Sequence, residues 1–297
     1  MFRSGFISVV GKPNVGKSTL INTLVGQKVS IVSFRPQTTR NKILGIMNGE
    51  NYQGILVDSP GVHKPKNNLS RYMMKSVSSA IDGVDIYIYV ISCDKKLDDH
   101  DMSYITDFAQ KGIPFYVVIN KCDEAEDVQI VERINALKDI DGIDGIFPTS
   151  ALKHKGTDEL KKELVEALPE GVRYFDEDMY TDKNMRFIAS EMIREKALKM
   201  LSDEVPYGIG VTINKFEFRE DGIVDIDADI ICEKQAHKAI VIGKGGQMIK
   251  KISSAARTSI ENMVGCKVFL TTYVKVKEDW RDNNNLLNEL GYNPKEI

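Results

Sequence analysis

The sequence predicts two units in tandem: an α/β domain with a mostly parallel sheet covered by helices on both faces, then a smaller α+β domain. Three observations carry this expectation. Short apolar runs alternate with helix-period stretches from Gly5 to about Leu168, the pattern of strands joined by crossover helices. A glycine-rich loop, Gly11-Lys12-Pro13-Asn14-Val15-Gly16-Lys17-Ser18-Thr19, sits between the first apolar run and the first helical one. Beyond residue 184 the order becomes helix, strand, strand, helix, glycine loop, helix, strand. A chain of 297 residues is also long enough for two domains. The expected boundaries are 1–170 and 185–297, with a linker over 171–184.

In the first unit, strands are expected at 6–10, 54–57, 85–92, 113–120 and 145–148. Helical patterns lie near 17–25, 69–81, 98–111, 127–137 and 157–168. A further strand over 41–48 precedes 51–57 across the polar turn Gly49-Glu50. That pair reads as a hairpin, so one edge of the sheet should be antiparallel.

The chemistry-bearing motifs fall at the ends of these strands, where open α/β sheets bind ligands. The loop from Gly11 to Ser18 fits G-x-x-x-x-G-K-[ST] in its proper strand–loop–helix context. Its glycines let backbone N–H groups converge on one anion, the helix N-terminus adds partial positive charge, and Lys17 adds a full one. Ser18 offers a hydroxyl to Mg²⁺, so the loop reads as a nucleoside triphosphate site. The second strand ends in Asp58-Ser59-Pro60-Gly61, where Asp58 can hold Mg²⁺ through water and the Gly61 N–H can reach a γ-phosphate. Asn120-Lys121-Cys122-Asp123 ends another strand. The Asp123 carboxylate can accept both the ring N–H and the exocyclic amine of guanine, which adenine does not present together. Asn120 can brace the loop and Lys121 can cover a base face. Thr149-Ser150-Ala151 can supply a backbone N–H to the guanine O6.

Composition excludes other classes. With 42% hydrophobic and 28% charged residues and a net charge of −3, the chain is neither disordered nor fibrous. Cys93, Cys122, Cys232 and Cys266 are scattered without a C-x-x-C pair, which argues against zinc and disulfide scaffolds and suits a reducing compartment. The start, Met1 to Ser4, leads directly into a strand, so no signal peptide is expected. No apolar run approaches the roughly 20 residues of a membrane span. His63, His100 and His154 read as surface or packing residues, and Arg35 and Arg40 as solvated loop arginines.

After an acidic, aperiodic stretch to Asn184, a helical stripe starts at Met185, followed by runs over 209–218 and 222–231. Asp221-Gly222 between them signals a hairpin. A short helix over 235–241 leads to Gly243-Lys244-Gly245-Gly246, then a helix from 247 to about 263 and a strand over 267–276. Residues 217–233 hold seven acids and one base, whereas 234–277 hold nine bases and one acid. So sharp a change of sign suggests one basic face, a footprint for nucleic acid. Trp280 has two open readings, capping the core or stacking a base.

Taken together, the loop Gly11–Ser18, Asp58–Gly61, Asn120–Asp123 and Thr149–Ala151 resemble, in order, the motifs of the translation-factor-related GTPases with a Ras-like P-loop domain. Pro36-Gln37-Thr38-Thr39-Arg40 is similar to the switch segment of the Era-like group, and the second unit resembles a type II KH domain. The resemblance covers nearly the whole chain. It implies GTP and GDP as ligands, with Lys17, Thr39 and Gly61 acting in hydrolysis. Ser18, Thr39 and Asp58 would serve Mg²⁺, with Thr39 favoured over Thr38. It also implies that Val62 stands where Ras-type enzymes place a water-orienting glutamine, so unaided turnover should be slow, near the roughly 10⁻⁴ s⁻¹ of an unstimulated Ras-type enzyme. Asn14 matches a position that recruits K⁺ in some relatives; the alternative is a simple turn-former. In the KH unit, Gly243, Lys244, Gly245, Gly246, Lys250 and Lys251 would meet RNA. The family further implies binding near the 3′ end of small-subunit ribosomal RNA, a role in 30S assembly, a monomeric cytoplasmic protein, and peripheral contact with the inner membrane. A competing reading is an RNA-binding module with a vestigial nucleotide site.

Overall fold

The computed structural model describes residues 1–293. The first sheet has six strands: β1 (Arg3–Val10), β2 (Ile43–Gly49), β3 (Tyr52–Asp58), β4 (Ile86–Ser92), β5 (Phe115–Asn120) and β6 (Gly145–Pro148), in the order β2-β3-β1-β4-β5-β6. All pairings are parallel except β2 with β3, where Ile43 faces Asp58. The expected hairpin edge is therefore present. Every residue of β4 and β5 is buried, as a parallel sheet covered on both faces requires. One core lies between the sheet and helices α1 (Lys17–Val25) and α5 (Thr157–Ala167), around Ile7, Leu20, Leu56 and Leu160. The opposite core packs α3 (Asp99–Ala109) and α4 (Asp127–Leu137) through Ile105, Phe108 and Leu137. Helix α2 (Asn68–Ile81) completes the domain.

The second domain begins with α6 (Met185–Met200) and continues β7 (Gly210–Phe218), β8 (Val224–Cys232), α7 (Gln235–Ile242), α8 (Gln247–Val264) and β9 (Val268–Val276). Its sheet has β8 at the centre, antiparallel to β7 and parallel to β9. One apolar core joins the sheet to α6 and α8 through Ile193, Ala197, Ile226, Ile230, Ile252 and Ala256.

Two segments take a definite place in the structure. The segment between α5 and α6 lacks regular structure and is bonded along the first sheet. Ile46 N–H donates to Tyr180 O at 2.9 Å, Leu44 N–H donates to Asp182 Oδ1 at 2.9 Å, and Gly45 bridges Thr181. Asn48 Nδ2 donates to Met179 O at 2.8 Å and Gln53 Nε2 donates to Phe175 O at 2.9 Å. The segment thus lies along β2 and engages its outer edge. Trp280 is fully buried and its Nε1–H donates to Gly208 O at 2.9 Å, which excludes the base-stacking reading. It belongs to a cluster of Leu69, Tyr72 and Met73 from α2 with Leu287 and Leu290 on or beside a short terminal helix, α9 (Asn284–Glu289). This cluster seals the two domains together.

Candidate guanine-nucleotide site and RNA face

The glycine loop folds as its sequence demands. Gly16 takes a φ of 98°, and a Cβ there would lie 2.1 Å from the Asn120 amide nitrogen. Helix α1 starts directly after it with no side-chain cap and no acid in its first turn, whereas α3 and α5 both carry first-turn acids. The free N–H groups of α1 are therefore left for an anion. Lys17 is buried and donates to the carbonyls of Gly11 and Lys12 at 2.9 Å each. Burial pushes its ammonium down to about 8, against the pull of Asp58. The Lys12 side chain turns away from the loop, to Asp98 at 2.5 Å and Asp101 at 2.8 Å. It fixes the loop to α3, so of the loop residues expected to bind nucleotide it contributes backbone only.

Three oxygen-bearing side chains converge beside the loop. Ser18 Oγ lies 2.9 Å from both Thr39 Oγ1 and Asp58 Oδ2, and Thr39 Oγ1 is 3.5 Å from the same carboxylate oxygen. Thr38 instead donates to Arg35 O at 2.7 Å, so Thr39 is the threonine at this point. Asp58 is fully buried, which raises its pKa against the pull of the Ser30 hydroxyl and Lys17, and its Oδ1 has no well-formed hydrogen bond among the described residues. An orphaned carboxylate oxygen beside two hydroxyls fits Mg²⁺, a hard cation that takes a few protein oxygens and completes its shell with phosphates and water. Gly61 packs so closely that a Cβ would lie 2.8 Å from three atoms of Pro13. Val62 packs into the sheet core and presents no polar group.

At the base end, Asn120 is buried and its Nδ2 donates to Val15 O at 2.9 Å. Its Oδ1 accepts from Ala151 N–H at 3.0 Å. The asparagine thus ties the phosphate loop to Thr149–Ala151, the brace expected of it. The three amides of that tripeptide are all engaged: Thr149 to Ile119 O, Ser150 to Lys155 O, and Ala151 to Asn120. A contact from it to guanine O6 would therefore share an amide already bonded within the protein. Lys121 takes a left-handed φ of 63° and lines the cavity, whereas Asp123 is exposed and is not among the residues lining it. The cavity, about 440 Å³, runs from Lys17, Ser18, Thr39 and Gly61 to Lys121 and Leu152. Asn14 also lines it, with a φ of 65° and its Nδ2 donating to Phe34 O at 2.7 Å.

Sequence reasoning missed how the switch segment is anchored. Arg40 is not solvated; it is 1% exposed. It donates to Ile209 O at 2.7 Å, Tyr207 O at 3.0 Å and the Tyr292 hydroxyl at 3.3 Å, and lies over the Trp280 ring at 5.7 Å. Arg35 donates to Leu198 O at 2.7 Å and also to Leu201 O. From the other side, Arg194 of α6 donates to Thr38 O at 2.5 Å and Glu195 accepts from Val32 N–H at 3.1 Å. The segment carrying Thr39 therefore has one side at the metal site and the other in the second domain.

In that domain Gly243, Gly245 and Gly246 have φ values of 72°, 57° and 75°, and among the described residues nothing lies within 4 Å of a Cβ built on Gly245 or Gly246. The loop is open for close backbone approach. Lys244, Lys250 and Lys251 are exposed around it, and Ile240 of α7 adds an exposed apolar contact.

A nucleotide loop, metal oxygens and a guanine-selective tetrapeptide on a mostly parallel sheet, followed by this G-x-x-G module, define a GTPase coupled to a KH domain. The family described as 50S ribosome-binding GTPase matches residues 6–121, and the KH domain family matches residues 204–281. GTPase Era of Clostridium botulinum is 48% identical over 292 residues, 98% of this chain and 99% of that one. Its counterpart in Ruminiclostridium cellulolyticum is 46% identical over 98% of both chains. Among solved structures, a variant of Aquifex aeolicus Era bound to GDP·AlF₄⁻ superposes with a TM-score of 0.93 at 36% identity, covering 98% of this chain and all of that one. Era in complex with MgGDPNP and a segment of 16S ribosomal RNA gives 0.91 at 36% identity, over 99% and 100%. The chain belongs to the Era family of GTPases.

Proposed function

We propose that this GTPase binds small-subunit ribosomal RNA near its 3′ end through the KH domain and uses GTP as the signal that switches this contact during 30S assembly. The observation that carries the reading is the two-sided switch segment. Thr39 faces Ser18 and Asp58 while the adjacent Arg40 is buried against Tyr207, Ile209 and Trp280. A ligand that binds the ordered segment more tightly than the disordered one would act on its other side as well. A relative of the same architecture has been solved on 16S ribosomal RNA with MgGDPNP, which supports the RNA target.

For hydrolysis, the loop amides and Lys17 would hold the β- and γ-phosphates, and the Gly61 N–H would meet the γ-phosphate. Ser18 and Thr39 would hold Mg²⁺, with Asp58 reaching it through water. The metal, when bound, neutralises charge developing on the transferred phosphoryl group. Val62 gives the attacking water nothing to bond to, so turnover is slow until a partner supplies orientation. Asn14 donates through Nδ2, which leaves its Oδ1 as an acceptor for K⁺, a cation suited to the role of an arginine finger. Replacing K⁺ by Na⁺ then slows turnover; equal rates refute that role. Domains at 1–170 and 185–297 and a cytoplasmic monomer belong to the same proposal, as does peripheral inner-membrane contact, which rests on the family alone.

The test is RNA affinity of the full chain for a 3′-terminal small-subunit fragment, with a GTP analogue and with GDP, alongside turnover with and without RNA. Different affinities and RNA-stimulated turnover support the switch. Equal affinities remove the coupling. Absent turnover in the parent chain supports a vestigial nucleotide site instead.

A further inference from the structure

Helix α6 belongs to the KH domain, yet its Lys199 lines the nucleotide cavity beside Lys17, Lys95 and Lys121 of the GTPase domain. Against these four lysines the cavity wall carries, among the described residues, a single carboxylate, Asp94. One turn back along α6, Glu195 is buried and faces three ammonium groups: Lys28 at 2.6 Å, Lys199 at 3.0 Å and Lys196 at 3.2 Å. One carboxylate cannot balance three cations, so the cluster keeps a positive surplus. Burial alone would raise the Glu195 carboxyl, but Lys28 and Lys199 outweigh it and hold the group down at about 2. The same carboxylate accepts from Val32 N–H at 3.1 Å, which fixes this turn of α6 against the start of the switch segment. Lys199 is therefore held at the cavity by a permanently ionised peg, with 41% of its side chain still exposed. An anion in the cavity would meet the positive charge that one carboxylate shared among three lysines leaves over.

We propose that Lys199 is a nucleotide-binding residue, so that the GTP site is a composite of both domains. This rests on the cavity being the guanine-nucleotide site. The electrostatic contribution is reciprocal: whatever factor Lys199 adds to nucleotide affinity, bound nucleotide adds to the docking of α6 on the GTPase domain. The KH domain then senses occupancy directly through its own cation, in addition to the switch segment.

The experiment titrates the full-length chain with fluorescent GDP and a fluorescent non-hydrolysable GTP analogue at low and high salt. An ion pair of this exposure makes Lys199→Ala about fivefold weaker, and charge reversal in Lys199→Glu about 25-fold weaker. Both losses shrink at high salt, as an exposed charge requires. Lys199→Arg stays near the parent. Lys196→Glu, which alters a lysine on the same carboxylate but outside the cavity, changes affinity by no more than about twofold. Lys199→Ala keeps the test intact should charge reversal unfold the chain. Lys199 variants that bind nucleotide as tightly as Lys196→Glu, while Lys17→Ala loses binding, overturn this proposal and leave the nucleotide site standing. A parent chain that binds neither probe overturns the site itself.

Discussion

Replacing Arg40 with alanine tests whether the switch and the KH domain are mechanically joined. The guanidinium gives two hydrogen bonds to main-chain carbonyls, one to Tyr292, and a cation–π contact with Trp280. Charged hydrogen bonds contribute about 1.5–3 kcal/mol each and a desolvated cation–π contact about 2 kcal/mol. Opposing them, among the described residues no carboxylate bonds directly to this buried charge and its Nε is unpartnered, and burial lowers its pKa. A buried ion without an ion-pair partner costs several kcal/mol, so the net contribution to domain docking should be about 1–3 kcal/mol, roughly a 5- to 150-fold change in the docked population. Arg40→Ala should keep GDP affinity within about threefold, because the phosphate loop is untouched. It should bring the ratio of RNA affinities measured with GTP analogue and with GDP close to one. Distance between fluorophores on α2 and α8 reports docking in the same samples. A folded Arg40→Ala chain that keeps the parent's affinity ratio refutes the linkage.

Three further outcomes follow from the site. Lys17 titrates near 8 in the free protein because of burial, and a bound phosphate raises that value, so binding takes up a proton above pH 8. Affinity for GDP should be flat below about pH 8 and fall by up to tenfold per unit above it; a flat profile to pH 9.5 contradicts this. Gly61→Ala places a Cβ 2.8 Å from Pro13 and should slow GTP turnover by about tenfold to a hundredfold with little change in GDP affinity, measured by single-turnover kinetics and titration. Lys244→Ala with Lys250→Ala should weaken RNA binding and flatten its salt dependence by about 1.4, from two lost single-strand phosphate contacts; an unchanged slope removes those lysines from the interface.

Much of the site was legible because its chemistry lies in short contiguous motifs. Gly16, Lys17, Ser18, Asp58 and Asn120 act through side chains or backbone geometry that the local sequence dictates, and they fall at the strand ends expected. The anchoring of the switch was not legible. Arg40 and Arg35 bond largely to carbonyls of residues 198–209, and a carbonyl carries no sequence signature. Arg194 and Glu195 sit in a helix whose buried face includes them, so apolar periodicity passes over them. The terminal helix Asn284–Glu289 is six residues long, too short for a 3.6-residue period to emerge. Trp280 could be resolved only by knowing that α2 and β8 come together around it.

The course of residues 175–182 along β2 separates the boundary drawn on the sequence from the one drawn in space. A GTPase domain cut after residue 170 would keep every nucleotide motif, yet strip the bonds that Leu44, Ile46, Asn48 and Gln53 make to the following segment. Its edge strand would then offer unpaired backbone groups to any other strand, the usual template for intermolecular pairing. Solubility, rather than nucleotide binding, would be the first property lost, and extending the fragment to Asn184 should restore it.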